Sequence, residues 1–315
     1  MRQGVTSMGK VALLDLGSNS TRMGIYQINQ DNSFQEIKRF KEMTRLAEGM
    51  GEFSTKSVLK QDAIDRTIEA LNKFKSEYEQ VSDLTMVRGV ATAAVRNASN
   101  GSGFLDRVKE EIGVEIEVLS GDSEAYYDYV GVMHAFDLKN CLICDMGGGS
   151  FELAVVKNRQ AVNYISIPYG AVTLSEKYHA GEKISAADFF ALQRFVLYKF
   201  RQLPWLSEGN GFPLVLLGGA NRTVARQGRD QAAQKNKANL HGEKMSSFSF
   251  VEIFQKWLGQ DKKEREDSLG VEKERADIII AGLTPVVMLI QQFEVPEVIF
   301  SESGVREGII AELTK

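Results

Sequence analysis

Two short loops hold the residues whose types and spacing suit chemistry best. "DLGSNS" runs from Asp15 to Ser20 and "DMGGGS" from Asp145 to Ser150; each sets a carboxylate two residues before a glycine, after an apolar run, and ends in serine. A chain that turns there through small residues leaves successive backbone N–H groups free to converge on an anion, above all a phosphate oxygen. Gly17, Gly147, Gly148 and Gly149 keep that approach open, and Ser18, Asn19, Ser20 and Ser150 add hydroxyl or amide donors. Asp15 and Asp145 repel phosphate, so their role in such a site is to anchor Mg²⁺, which takes carboxylate, water and phosphate oxygens together. A third bare stretch, Gly218-Gly219, follows the apolar "LVLL".

The elements around these loops alternate. "KVALLDLGSNSTRMGIYQI" reads as strand, loop, strand, and "FQEIKRF" as a third strand with its charges outward. Leu59, Ile64, Ile68, Leu71 and Phe74 line one face of a following helix. "LTMVRGVAT" is a strand, "GSGFLDRVKEEIG" a helix closed by Gly113, "VEIEVLSG" a strand, and "DSEAYYDYVGVMHAF" a helix with Asp122 in cap position. "NCLICDMGGGSFELAVVKN" then starts the pattern again, with "QAVNYISI" as the next strand. Asp15 falls on Asp145, Gly17 on Gly147, Ser20 on Ser150 and Arg22 on Glu152. This is either a loop shared by two hairpins or, as we read it, two homologous domains facing one cleft. A strand follows the glycines, so this is not the dinucleotide fingerprint. "IIIAGLTPVVMLI" reads as a buried helix or helix pair, and "VIFSESGVREGIIAELTK" as strand, turn and terminal helix.

The composition is that of an ordinary globular chain: 315 residues, 43% hydrophobic, 25% charged, net charge −4. No stretch reads as a leader or a bilayer span, and two cysteines make no disulfide framework; a soluble cytoplasmic protein is expected. Cys141 and Cys144 stand three apart on a strand and so face opposite sides, which argues against a metal or redox pair. His134, His179 and His241 are scattered. Tyr126, Tyr127 and Tyr129 read as helix packing.

The motifs "DLGSNS", "RLAEGMG", "ATAAVRNASN", "EVLSGDSEAYYDYVGV", "DMGGGSFEL", "LLGGANRT", "RADIIIAGL" and "SESGVREGII" occur in the order of one family and cover nearly the whole chain. The sequence resembles the exopolyphosphatase/guanosine pentaphosphate phosphohydrolase family, in its short two-domain form, within the actin-like ATPase superfamily. The family's carboxy-terminal extension with a His-Asp motif has no counterpart here, and "GGAN" stands where many members carry Gly-Gly-Thr.

The resemblance implies an α/β fold of two ribonuclease-H-like domains, with mixed sheets flanked by helices and the active-site cleft between them. The domains would be 1–128, completed by the terminal helix 303–315, and 129–302. It implies that Glu124 is the catalytic base and that Arg96 lies against phosphate. Asp145 and Glu152 would hold Mg²⁺, with Asp15 facing them; K⁺ is a candidate activator. Without the resemblance Glu124 would be a solvated first-turn glutamate and Arg96 a surface arginine. Arg22 could enter the cleft, whereas Arg45 and Arg306 are assigned structural roles. A homodimer is implied by likeness alone.

The implied reaction is hydrolysis of the terminal phosphoanhydride of inorganic polyphosphate, or alternatively of guanosine pentaphosphate. Rival classes are an actin-like kinase or ATPase and a sensor without catalysis. Between Asn221 and Met245, the basic residues Arg222, Arg226, Arg229, Lys235, Lys237 and Lys244 outnumber Asp230 and Glu243. That stretch could hold a long polyanion by counterion release, or be a solvated helix face. Few aromatics interrupt it, which argues against a nucleic-acid platform, and no membrane partner is expected.

Overall fold

The computed structural model describes residues 9–50, 57–231 and 239–315. Apolar runs set the two central strands. β1 (Gly9–Leu16) is buried along nearly its whole length and pairs antiparallel with β2 (Thr21–Ile28), which pairs with β3 (Phe34–Glu42). The chain continues through α1 (Gln61–Tyr78), β4 (Leu84–Ala91), α2 (Ala93–Asn97), α3 (Gly101–Ile112) and β5 (Ile116–Val118). α3 ends at Gly113, whose φ of +81° is the left-handed cap that glycine adopts without strain. α4 (Gly121–Ala135) follows. Its cap is Ser120 rather than Asp122: Ser120 is extended and its hydroxyl accepts the Ser123 amide at 3.0 Å, which leaves Asp122 inside the first turn.

β6 (Cys141–Met146), β7 (Phe151–Lys157) and β8 (Gln160–Ile167) repeat the opening meander. After them come α5 (Ala171–Lys177), α6 (Ala186–Arg201), β9 (Leu214–Gly218), α7 (Gly219–Gln231), β10 (Lys244–Ser246), α8 (Ser247–Leu258) and α9 (Lys262–Leu269). A short 3₁₀ turn over Gly270–Arg275 leads to α10 (Ile279–Gln292), then β11 (Glu297–Phe300) and α11 (Val305–Leu313). α10 is the buried helix expected from its composition and keeps Pro285 inside it.

The sheets have orders β3-β2-β1-β4-β5 and β10-β11-β9-β6-β7-β8. Read from β8, the second repeats the first, with β11 in the place of β5. Both are mixed, with helices packed against them. Each opening hairpin closes across four loop residues, Leu16 opposite Thr21 and Met146 opposite Phe151. Asp15 therefore stands across from Arg22, and Asp145 from Glu152. Cys141 and Cys144 are buried free thiols packed in separate apolar clusters on opposite faces of β6.

Two helices occupy the remaining sheet faces. Ile309 and Ile310 of α11 pack with Val11, Leu13 and Tyr26 of the first sheet, and Val132 of α4 with Ile143, Val156 and Val215 of the second. α4 and α11 then meet backbone to backbone. A Cβ on Gly308 would run into the Tyr127 carbonyl, and one on Gly131 into the Gly304 carbonyl. This seam fixes α4 and whatever chemistry its first turns carry. Gly308→Ala is expected to lower stability by roughly 1–3 kcal/mol through overpacking, read as an earlier urea midpoint; an unchanged midpoint would contradict the seam.

Candidate active site

The two loops meet. A Cβ on Gly149 would lie 2.5 Å from Ser18 Oγ, and one on Gly148 3.0 Å from Ser18 Cβ. These glycines thus admit the opposite loop. The Gly147 carbonyl accepts the Ala171 amide and the Gly148 carbonyl the Val172 amide, both at 2.9 Å, so the loop caps the start of α5. Because N–H and C=O of a trans peptide point opposite ways, the amides of Gly148 and Gly149 are directed away from α5.

A cavity of about 290 Å³ lies over this junction. It is lined by Asp15, Gly17, Ser18, Asn19, Ser20 and Arg22 from the first hairpin, and by Asp145, Gly147, Gly148, Gly149, Ser150 and Glu152 from the second. Glu124, Gly218, Gly219, Arg222 and Arg226 complete the sequence-derived set that the fold brings there. Gly218 has φ +94°, and a Cβ on it would press on Asp145 Oδ1 at 2.8 Å; a side chain at Gly219 would collide with the Arg275 guanidinium.

Glu124 is 4% exposed and accepts a short hydrogen bond from Arg96, whose Nη1 also donates to Leu119 O at 2.7 Å. Burial pushes the Glu124 carboxyl up to about 7; Arg96 works against the shift, while Asp15 and Asp145 add to it. Arg96 itself is not among the residues lining the cavity.

The acidic grouping differs from the one expected. Asp145 and Glu152 come together with Asp128, one ligand oxygen from each lying within 4.8 Å of the others. Asp15 lies outside this trio and stands across from Arg22, but lines the same cavity and adds to the rise at Asp145. The cause is the helix. Asp128 stands four residues after Glu124 on α4 and so shares its face, whereas the first hairpin carries Arg22 where the second carries Glu152. Burial raises Asp15, Asp128, Asp145 and Glu152 alike. Glu124 and Asp145 add to the rise at both Asp128 and Glu152, while Arg22 opposes it at Asp15 and Asp145. Asp128 Oδ1 and Oδ2 and Asp145 Oδ1 are buried without a hydrogen-bond partner. Orphaned oxygens on clustered carboxylates fit a hard divalent cation such as Mg²⁺.

Cations line the same cavity: Arg22, Arg39, Lys41, Arg222, Arg226 and Arg275, with Glu272, Glu302 and Glu307 interspersed. Among the described residues Arg22, Lys41 and Arg222 form no ion pair, unlike Arg226, which holds Glu272 at 2.6 Å. Burial, with Arg275, Arg22 and Arg222 nearby, pulls Lys41 down to about 8, and burial beside Arg22 and Arg275 pulls Arg222 to about 9. Of the basic stretch that begins on α7, Arg222 and Arg226 reach the cavity and others do not. Arg229 pairs with Glu243 away from the cavity, Lys244 pairs with Glu297 at 2.7 Å, and Lys235 and Lys237 lie outside the described residues. Arg45 ties to Asp277 at 2.9 Å, and Arg306 to Glu36 at 3.3 Å, although Arg306 also lines the cavity.

Among the described residues no helix is long and apolar enough to cross a membrane. Residues 25–315 match the profile of the Ppx/GppA phosphatase family. A bifunctional 3-dehydroquinate synthase/phosphatase of Fusobacterium nucleatum subsp. nucleatum is 26% identical over 312 residues, which are 96% of this chain and 46% of that protein. The chain thus spans about half the length of that curated relative. The crystal structure of the Aquifex aeolicus Ppx/GppA family member is similar with a TM-score of 0.77 and 28% identity, covering 97% of each chain. An exopolyphosphatase structure from Cytophaga hutchinsonii gives 0.87 and 21% identity, again over 97% of each, and shares the fold.

Carboxyls raised in the folded state bind protons that the unfolded chain has released, so stability falls as pH rises through this range. His241, lowered from 6.5 by burial, pulls the other way only below that value. A cation bound by the carboxylates offsets the loss where they are ionised. Mg²⁺ is therefore expected to raise the melting temperature more at about pH 7.5 than at about pH 5, because the raised carboxyls must lose their protons to bind it; an equal shift at both would contradict the cluster as its site.

Proposed function

The chain belongs to the Ppx/GppA phosphatase family, and on that premise we propose that it hydrolyses the terminal phosphoanhydride bond of inorganic polyphosphate. The observation that carries this reading is one cavity with a carboxyl near pH 7, two phosphate-type loops and an unpaired set of cations. The end phosphate sits between the Gly17–Ser20 and Gly147–Ser150 loops, held by backbone amides and serine hydroxyls. Glu124 takes the proton of the attacking water, a task for which a value near the working pH is suited. Arg96 holds the Glu124 carboxylate in place and, since it does not line the cavity, acts on the reaction through Glu124.

Asp145 and Glu152 hold Mg²⁺ in this reading. Bound there, the ion neutralises charge on the phosphate oxygens. Arg22, Lys41, Arg222 and Arg275 hold the rest of the chain. Gly219 is a glycine in this scheme so that Arg275 can lie against the loop. Residues 1–128 with 303–315 and residues 129–302 serve as the two walls, with α4 crossing between them.

A second substrate has an observation in its favour. The cations form a compact group instead of a long track, which suits the short phosphate runs of guanosine pentaphosphate as well as a polymer end. Phosphate release from long-chain polyphosphate, guanosine pentaphosphate and ATP separates the readings. Release from one of the first two is expected to exceed that from ATP. Glu124→Gln is expected to lower kcat by about 10²–10⁴. Preferential ATP turnover with Glu124→Gln fully active would overturn the proposal; binding without turnover would favour a sensor.

A further inference from the structure

Asp128 is 1% exposed, yet neither of its oxygens has a hydrogen-bond partner of good geometry; only the Val305 amide comes near. Among the described residues no arginine, lysine or histidine pairs with it, nor with Asp145 or Glu152. Glu152 Oε1 accepts the Ser166 hydroxyl at 2.7 Å, which satisfies one oxygen of the trio. Three carboxylates, two buried and one half-buried, with oxygens within 4.8 Å of one another, repel in a poorly solvated setting. Oxygen donors in that number select a hard divalent cation.

We propose that Asp128 is a third carboxylate ligand of the cation held by Asp145 and Glu152, so that the site binds its ion before any phosphate arrives. The inference rests on the reading of Asp145 and Glu152 given above. Mg²⁺ ordinarily relies on one or two carboxylates and the substrate's own phosphates; a third protein carboxylate makes the ion resident. Asp128 does not line the cavity, whereas Asp145 and Glu152 do. It therefore adds charge from behind them and leaves the cavity side to substrate. A competing role exists in the same place: a carboxylate near Gly304 and Val305 stands at the start of α11, where the helix dipole favours an anion.

Mn²⁺ binding to the full chain, followed by loss of the free-ion EPR signal with no phosphate compound present, distinguishes the two. Wild type is expected to take up one Mn²⁺ per chain. Asp128→Asn, which keeps an oxygen for the Val305 amide, is expected to weaken it by at least about 10-fold, with the metal-free melting temperature unchanged or higher. Asp145→Asn is the control. If it weakens Mn²⁺ binding and Asp128→Asn does not, the metal pair stands and the third ligand falls; if neither matters, both fall. A lower metal-free melting temperature with unchanged affinity would make Asp128 the cap of α11. Should Asp128→Asn not fold, wild type still decides: uptake only when pyrophosphate is added contradicts the proposal.

Discussion

Mutual repulsion among Glu124, Asp128, Asp145 and Glu152 is the constraint that the rest of the molecule contains. Each of these carboxyls lies in a setting that disfavours its charge, and they face one another. Left free, such groups would drift apart or draw in water. The backbone prevents this. Asp145 and Glu152 are cross-strand neighbours in a hairpin buried on both faces, and Glu124 and Asp128 share one face of α4. α4 in turn is pressed against α11 across a seam where only glycine fits. Packing energy thus holds an arrangement that electrostatics opposes, as functional sites often require.

The same cavity distributes its charges unevenly. Carboxylates without a cationic partner come from β6 and β7, whereas β2, β3, α7 and the turn before α10 supply cations, some of them paired with Glu272 or Glu302. Arg96 is the exception, a cation bound to the acidic side through Glu124. A polyanion that accepts a cation at its reacting end and guanidinium groups behind it matches both halves at once. The two hairpins make this possible by contributing opposite charges from equivalent positions: Arg22 opposite Asp15 in one, Glu152 opposite Asp145 in the other.

The loops were legible because their signal is local. An apolar strand, Asp-x-Gly and a serine recur at matched positions, and the two sheets with a common strand order follow from the same repetition. Residues whose role depends on a neighbouring element were not. Arg39 and Lys41 alternate along β3 as an exposed strand's charges would, yet pairing with β2 puts Lys41 opposite Arg22 at the cavity. Arg275 arrives from a 3₁₀ turn distant in sequence, and its place is kept by the absence of a side chain at Gly219. Asp128 sat hidden among tyrosines, its meaning set by a one-turn offset from Glu124. Arg229 depends on a neighbour in the same way: Glu243, brought back across the chain, pairs with it.

The central claim is that water, activated at Glu124, attacks the terminal phosphorus of a polyphosphate chain. ³¹P NMR of long-chain polyphosphate digested in ¹⁸O-water tests it most directly. The expected result is growth of orthophosphate alone, carrying one solvent oxygen, from chains that shorten at their ends and acquire no label in the remaining polymer. Internal scission into oligomers, or orthophosphate without solvent oxygen, would contradict the account.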